Sequence, residues 1–261
     1  MGIRTVKIAA LVVLACTLAA CPPRIRETPM EATTPLRVGV TPDTPPMVFK
    51  QDGAIVGLEA DFARQLAQDL GRPLQFVELL WEDQIPALLR GNTDIIMSSM
   101  TATAERQVRI AFSASYLDSG LMAVALKRNR EKFETRDAIL DTPKDVGVRR
   151  GTTGESFVHE RLTKAQPVTY TNFKDAVIDL KRGRIDLFID DSPMVVWLAS
   201  ENDADLVLLK EQLARQPIAW GMRIDDVELR AHVDGALRRW RSDGTRRLIL
   251  ERWLPYWPSL D

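Results

Sequence analysis

Hydrophobic positions from residue 36 onward change repeatedly between two spacings, which predicts short strands alternating with helices. Residues 36–40 alternate as in a strand, whereas residues 58–70 keep their apolar side chains on one helical face and end before Gly71. The same patterns predict these further elements: strands at 74–79, 94–97, 145–150, 186–189 and 205–209, with helices at 83–91, 151–162, 172–183, 192–201 and, as a closing pair, within 226–253. Such alternation is typical of mostly parallel sheets flanked by helices.

The elements form two similar series, joined near residues 117–121. This organisation predicts an α/β protein of two lobes, each with its own sheet. Sheets of this kind bind ligands beyond the carboxyl ends of their strands, so a ligand is expected where both sets of strand ends converge.

The N-terminal residues have the pattern of a secretory signal. Arg4 and Lys7 precede a thirteen-residue apolar run from Ile8 to Ala20, and small residues end that run. A buried core helix is the alternative, but the run has no cap and is followed by prolines. We therefore predict a signal peptide at residues 1–20.

The end of the signal, Leu18-Ala19-Ala20-Cys21, resembles the bacterial lipobox, which implies that Cys21 is lipidated and becomes the first mature residue. Cys16 would be removed with the signal, so no intramolecular disulfide is expected. Residues 21–35 are rich in proline, threonine and charge, and predict a flexible tether to the membrane.

Charge and composition narrow the function classes. The chain has 35 basic and 36 acidic residues, and without the signal's two basic residues the net charge is −3. No strongly basic face is indicated, so a nucleic-acid partner is not expected. Two histidines and two cysteines are too few for a closed zinc site without several carboxylates, so neither a metal nor a cofactor is expected.

A first candidate site follows the predicted strand at 94–97. Small hydroxyl residues from Ser98 lead to Thr103, which with Glu105 and Arg106 predicts a helix start. The planar fork of Arg106 suits a carboxylate. A surface arginine paired with Glu105 or another neighbour is the alternative.

A second candidate site is the glycine-flanked threonine pair of residues 150–156. Thr152 and Thr153 open a predicted helix, whose first N–H groups can bind an anion. Ordinary helix capping by a threonine hydroxyl is the alternative. The phosphate-binding Walker pattern is absent, because no Gly-Lys-Ser/Thr follows.

A third candidate site is the end of the buried strand at 186–189. Asp190 and Asp191 stand there, and Pro193 is expected in the first turn of the next helix. Asp191 can receive a cation or can simply cap the helix. No third acidic or histidine ligand is near in sequence, so a metal site is not expected. A cationic fork, an N–H anion site and a carboxylate together suit a ligand with one carboxylate and one ammonium.

The chain resembles family 3 of the bacterial extracellular solute-binding proteins, the receptors for polar amino acids in ABC importers. The resemblance covers nearly all of residues 36–255 and rests on motifs in a set order: Gly57 to Ala63, Trp81 before Ile85 to Leu88 and Gly91, Asp94, Ser98 to Arg106, Phe112-Ser113 with Tyr116, Gly151 to Thr153, Gly183 to Asp191, and Asp243 to Thr245.

The resemblance implies a role for each matching residue. Arg106 would pair with the ligand's α-carboxylate, assisted by the N–H groups of Thr101 and Thr153. The Thr101 hydroxyl, the Ser99 carbonyl and Asp191 would receive the α-ammonium.

The resemblance also implies where the ligand's side chain lies. Trp81 would line that pocket, and the family's first loop often adds an aromatic lid. The matching residue here is Thr44, which is not aromatic, so Met47 or Phe49 would have to supply apolar contact. This departure leaves the side-chain specificity open.

The resemblance further implies a two-lobed, type II periplasmic-binding-protein fold. Lobe 1 would comprise residues 36–118 and 220–261, lobe 2 would comprise 119–219, and two crossing strands would form the hinge. The implied protein is a monomeric lipoprotein of the periplasm or outer cell envelope. It would capture an amino acid by lobe closure and deliver it to an ABC permease.

Two other functions stay open at this stage. Periplasmic cyclohexadienyl dehydratases resemble the same fold, but they carry a glutamate shortly after the aspartate that matches Asp191, and this chain has none there. A ligand-sensing subunit for a signalling receptor would have the same sequence features as a transport receptor. A zinc hydrolase is disfavoured, because His159-Glu160 lacks the second histidine of HExxH.

Overall fold

A computed structural model describes residues 34–255. The predicted signal peptide, the lipidation site Cys21 and the tether up to residue 33 lie outside these residues. The last two tether residues are described, and Arg72 donates hydrogen bonds to the carbonyls of Thr34 and Pro35 at 2.9 and 2.8 Å. Within residues 34–255, no helix is both long and apolar enough to span a bilayer.

The first large sheet has five strands: β1 Leu36–Val40, β5 Leu74–Glu78, β6 Ile95–Ile96, β7 Ala111–Phe112 and β13 Gly221–Met222. Their spatial order is β5-β1-β6-β13-β7. β1 runs parallel to β5 and β6, whereas β13 is antiparallel to β6 and β7.

The second large sheet has the order β10-β9-β11-β8-β12. Its strands are β8 Leu117–Leu126, β9 Asp145–Arg149, β10 Gln166–Tyr170, β11 Leu187–Asp191 and β12 Leu206–Ile218. β9 is parallel to β10 and β11, and β8 is antiparallel to β11 and β12. Both sheets are therefore mixed, because the strands that connect them add antiparallel pairs to a parallel centre.

A small antiparallel sheet inserts after β1. It comprises β2 Asp43–Thr44, β3 Val48–Gln51 and β4 Ala54–Val56. The sequence pattern did not predict it, since its strands are too short to show a periodicity.

Nine α-helices in residues 34–255 cover the sheets. They are α1 Leu58–Asp69, α2 Gln84–Leu89, α3 Ala104–Gln107, α4 Arg136–Leu140, α5 Thr153–Arg161, α6 Phe173–Arg182, α7 Ser192–Glu201, α8 Val227–Asp243 and α9 Thr245–Trp253. Two 3₁₀ helices, Trp81–Asp83 and Lys127–Phe133, precede α2 and α4.

Two antiparallel segments connect the large sheets. The first runs from β7 into β8 and the second from β12 into β13, and Leu117 pairs with Ile218 between them. Tyr116 and Trp220 stand on these segments, and their rings stack at 5.0 Å beside Phe62 of α1. This architecture confirms the predicted two-sheet, type II arrangement. The lobe boundaries at 118/119 and 219/220 stay predictions, since they concern which parts move as units.

Candidate functional site

Two side chains from segments that follow strands of the first sheet donate hydrogen bonds to one carbonyl that follows a strand of the second sheet. The indole Nε1 of Trp81 donates to the carbonyl of Gly151 at 2.9 Å, and Nη2 of Arg106 donates to the same oxygen at 3.2 Å. Trp81 begins a 3₁₀ turn after β5, and Arg106 lies in α3 after β6. The strand-end loops of both sheets therefore converge, as the sequence predicted.

Gly151 has backbone and steric reasons to be glycine. Its φ is +68°, and an added Cβ would lie 3.4 Å from Cδ1 and Nε1 of Trp81. The residue turns the chain from β9 into α5 with its carbonyl facing the first sheet.

The guanidinium of Arg106 contacts the Gly151 carbonyl, the Thr101 carbonyl and the Trp81 ring. Nη1 donates to the Thr101 carbonyl at 2.9 Å, and the group lies 5.3 Å over the Trp81 ring. Thr103 accepts a hydrogen bond from the Arg106 N–H and caps α3, which confirms the predicted helix start. Within the described residues Arg106 forms no ion pair with Glu105 or with any other acidic side chain, so the fold does not show the alternative of a surface pair.

Burial lowers the pKa of Arg106, while the negative charges of Asp191 and Glu105 raise it. The guanidinium remains a cation at any physiological pH. Asp191 belongs to the other sheet, so a cation and an anion from the two sheets act on one another.

A cavity of about 440 Å³ opens beside this cation, within the usual size range of small-molecule sites. Three predicted site residues, Trp81, Arg106 and Thr153, are on its wall. The other walls are formed by Glu82, Ile85, Pro86, Met100, Thr103, Glu105, Arg109, Gly151, Thr152, Ser156, Phe157, Glu160 and Gln216. The remaining predicted residues, Thr44, Ser99, Thr101 and Asp191, are buried and are not part of that wall.

The hydroxyls of Thr101 and Thr153 both form a hydrogen bond with the side-chain amide of Gln216. Both donate to Oε1 of Gln216, at 3.2 and 2.6 Å. Thr152 caps α5 by accepting a hydrogen bond from the Glu155 N–H, so the capping alternative holds for this residue. Thr153 is the first helical residue, with its hydroxyl turned to the cavity.

Ser99 has the backbone conformation that a site residue often requires. Its φ is +57°, an uncommon value for a residue other than glycine. Its N–H donates to Oε1 of Glu59 at 2.6 Å, and its buried hydroxyl oxygen has no hydrogen-bond partner within residues 34–255. Glu59 therefore fixes the backbone from which the Ser99 carbonyl projects.

Glu59 joins three parts of the fold beneath the site. Besides Ser99, it accepts hydrogen bonds from the Tyr116 hydroxyl at 2.6 Å and from Nε1 of Trp220 at 2.8 Å. The side chain is 0% exposed. Burial raises the pKa of Glu59 to about 6, against the lowering effect of these three donors.

The raised pKa of Glu59 predicts a pH dependence of stability. The folded state holds this proton more tightly than the unfolded chain, so its stabilising effect is present below about pH 4.5 and is lost as pH rises through 6. As pH rises through this window, we expect the contribution of Glu59 to the free energy of unfolding to fall by about 2 kcal/mol. Glu59→Gln should remove that part of the dependence in urea titrations at pH 4.5 and 7. The exposed Glu131→Gln is the control, and an unchanged pH dependence in Glu59→Gln would contradict the assignment.

Asp191 ends β11 and precedes α7, but its side chain makes no capping hydrogen bond. The residue is 6% exposed, and its Oδ1 has no hydrogen-bond partner within the described chain. Burial and the neighbouring charge of Asp190 raise the pKa of Asp191 to about 7, although Arg149 and Arg106 lower it. The capping alternative therefore fails, and a buried carboxylate oxygen is left available.

Asp190 has a different role from its neighbour. It forms a buried bidentate ion pair with Arg149, including Nη2 to Oδ1 at 3.0 Å, and accepts a hydrogen bond from the Asp191 N–H. Within residues 34–255, no three histidine, cysteine, aspartate or glutamate side chains are grouped to hold a metal.

Thr44, the residue at the predicted lid position, is 3% exposed. Its hydroxyl donates to the Val48 carbonyl at 3.2 Å, which closes the turn of the small sheet. The structure thus shows a local use for this hydroxyl.

Several residues of the site were not among the sequence predictions. They are Glu59, Arg149, Gly151 as a carbonyl acceptor, and Gln216. Gln216 stands inside a strand without a local motif, and only strand pairing brings it to the two threonines. Glu59 had one signal: it is a charged residue on the apolar side of a predicted helix.

The family comparison agrees with this geometry. The model of the bacterial extracellular solute-binding proteins, family 3, matches residues 36–256. The chain belongs to this family.

Individual relatives extend the comparison. The chain is 29% identical to the L-cystine-binding protein of Escherichia coli, over 84% of this chain and 82% of the relative. It is 27% identical to a cyclohexadienyl dehydratase of Pseudomonas aeruginosa, over 86% and 84%. The structure of an ancestral arginine-binding protein bound to arginine superposes with a TM-score of 0.80, at 29% identity over 86% of this chain and 100% of the other.

Proposed function

We propose that this protein binds a free α-amino acid between its two sheets. The observation that carries the proposal is the opposition of Arg106 and Asp191, a cation from one sheet and a carboxylate from the other whose charges act on one another. Arg106 suits the α-carboxylate, with the N–H groups of Thr101 and the start of α5 nearby. The unpartnered Oδ1 of Asp191 suits the α-ammonium.

The ligand's remaining contacts follow from the same residues. The Thr101 hydroxyl and the Ser99 carbonyl supply acceptors for the ammonium, and Trp81 supplies an aromatic wall for the side chain. Thr44 leaves the opposite side without an aromatic lid. Membership of the family supports these roles.

The proposed biological role is capture for import. The protein would be a monomer outside the cytoplasm, anchored by lipid on Cys21, and would present the closed, ligand-loaded form to an ABC permease. Closure needs only a higher ligand affinity in the closed form than in the open one.

Membrane fractionation with labelled fatty acid tests the anchor: label on the wild type but not on Cys21→Ser is expected. A ligand-sensing subunit would bind in the same way, and uptake assays in a strain lacking the protein separate the two roles.

Isothermal calorimetry with the twenty common amino acids tests the binding function. We expect at least one of them to bind with a Kd of about 1 µM or tighter, the free energy of about −8 kcal/mol that a well-paired zwitterion site can supply. No binding by any of them would contradict the proposal.

One observation favours an enzyme as second candidate. A carboxyl with a pKa near 7, as in Asp191, is suited to donate a proton at neutral pH, and a cyclohexadienyl dehydratase is among the relatives. The chain has serine and proline directly after Asp191, without the glutamate expected of such enzymes. Turnover of a cyclic dienyl acid that Asp191→Asn abolishes would establish the enzyme.

A further inference from the structure

Arg106 and Asp191 form the proposed clamp, and the charges of the side chains around it do not sum to zero. Arg149 is paired with Asp190 in the second sheet. On the proposed function, Arg106 pairs with the ligand's α-carboxylate and Asp191 with its α-ammonium. Among the described residues close to the Arg149–Asp190 pair, the carboxylate of Asp43 is then left without an ion-pair partner.

Asp43 faces the second sheet from the small sheet. Its Oδ2 accepts a hydrogen bond from the Phe173 N–H at the start of α6, at a long 3.4 Å. Its Oδ1 is buried and has no hydrogen-bond partner among residues 34–255. Desolvation raises the pKa of Asp43, and the positive charge of Arg149 lowers it, so the carboxylate lies within electrostatic range of the Arg149–Asp190 pair.

Two carboxylate oxygens near that pair are therefore buried and unpartnered: Oδ1 of Asp191 on β11 and Oδ1 of Asp43 on β2. A buried carboxylate oxygen without a donor is costly, and a cationic donor on the ligand would both supply the hydrogen bond and neutralise the charge. The α-ammonium provides for the first oxygen only.

The cavity wall is negative as well. Once Arg106 is assigned to the α-carboxylate, Arg109 is the remaining cation on the wall, against Glu82, Glu105 and Glu160. A cluster of one sign at the mouth of a cleft attracts ligands of the opposite sign. This observation is independent of Asp43.

We infer that the ligand is an amino acid with a positively charged side chain, and that the half-buried Asp43 is the partner of that charge. The inference rests on the proposed clamp and specifies the class of ligand it takes. A zwitterion with a neutral side chain would leave the Asp43 charge uncompensated. One extra positive charge brings the sum over Arg106, Arg149, Asp43, Asp190 and Asp191 to zero.

L-arginine and L-citrulline are matched probes, because they have nearly the same shape and differ in a charged guanidinium against a neutral ureido group. Calorimetry with the wild-type protein should show arginine binding at least about tenfold more tightly, and the ratio should shrink as salt is raised. Because both side chains can donate hydrogen bonds to Asp43, the ratio reports the charge itself.

Asp43→Asn tests the assigned partner. We expect it to weaken arginine binding by about 30-fold, the lower end of the range for one partner of a desolvated charge pair because Asp43 is half-buried, and to change citrulline binding little. Asp52→Asn, an exposed carboxylate in the turn between β3 and β4 of the same small sheet, is the control and should leave both affinities unchanged. Thermal unfolding of each variant establishes that it is folded.

The outcomes separate this inference from the proposed function. Equal binding of arginine and citrulline, or binding only of amino acids with neutral or acidic side chains, would overturn the inference and leave the clamp standing. An unchanged arginine preference in a folded Asp43→Asn would overturn the role of Asp43. Absence of binding by every amino acid would overturn the proposed function itself.

Discussion

Replacing Arg106 with alanine is expected to weaken amino-acid binding by about 2–5 kcal/mol, which is a loss of about 30-fold to several thousandfold in affinity. The loss has two parts: the bidentate pair with the α-carboxylate disappears, and the desolvated carboxylate is left without a partner. Calorimetry with the best ligand of the amino-acid series measures it.

Two variants distinguish the geometry of Arg106 from its charge. Arg109→Ala removes an exposed arginine from the same cavity wall and should change affinity by less than about threefold, as for an exposed charge. Arg106→Lys keeps the positive charge but loses the planar fork, and should fall between wild type and Arg106→Ala. Undiminished binding by a folded Arg106→Ala would show that the carboxylate is bound elsewhere.

Replacing Asp191 with asparagine is expected to have opposite effects on binding and on stability. Binding of α-amino acids should fall by about 30-fold or more, because the buried partner of the ammonium is lost. The corresponding deaminated acids should lose much less. Equal losses for both ligand types in calorimetry would contradict the ammonium assignment.

The stability effect follows from the raised pKa of Asp191. The ligand-free fold holds the Asp191 proton more tightly than the unfolded chain does, so the stabilisation from this proton is present at low pH and is lost as pH rises through about 7. Asp191→Asn should therefore unfold at a higher urea concentration than wild type at pH 8, with the difference shrinking toward pH 5. Asp186→Asn, directly before the same strand, is the control. A less stable Asp191→Asn at pH 8 would mean that the carboxylate serves the fold rather than the ligand.

The regular elements were largely predictable because their signals are local. The helical face of residues 58–70 and the strand at 36–40 both formed as expected, and Pro193 lies in the first turn of α7 as predicted. The predicted strand at 205–209 extends to Ile218, because its later half pairs with β8, and strand pairing is not encoded in the periodicity of one segment.

In the candidate site, too, the residues with a local sequence signal were predictable, and the contacts between distant residues were not. Arg106 and Asp191 were found from their residue type at strand ends. The contacts of Gln216 with Thr101 and Thr153 depend on a residue more than sixty positions from either threonine. The different roles of Asp190 and Asp191 were also hidden, since they depend on Arg149 in the neighbouring strand.

A crystal structure of the protein with its best-binding amino acid is the decisive test of the proposed site. We expect the Arg106 guanidinium in contact with the α-carboxylate and Oδ1 of Asp191 within hydrogen-bond distance of the α-ammonium, with the ligand enclosed between the two sheets. A bound ligand whose charged ends contact other residues, with Arg106 and Asp191 turned away from it, would show that the site is wrongly assigned.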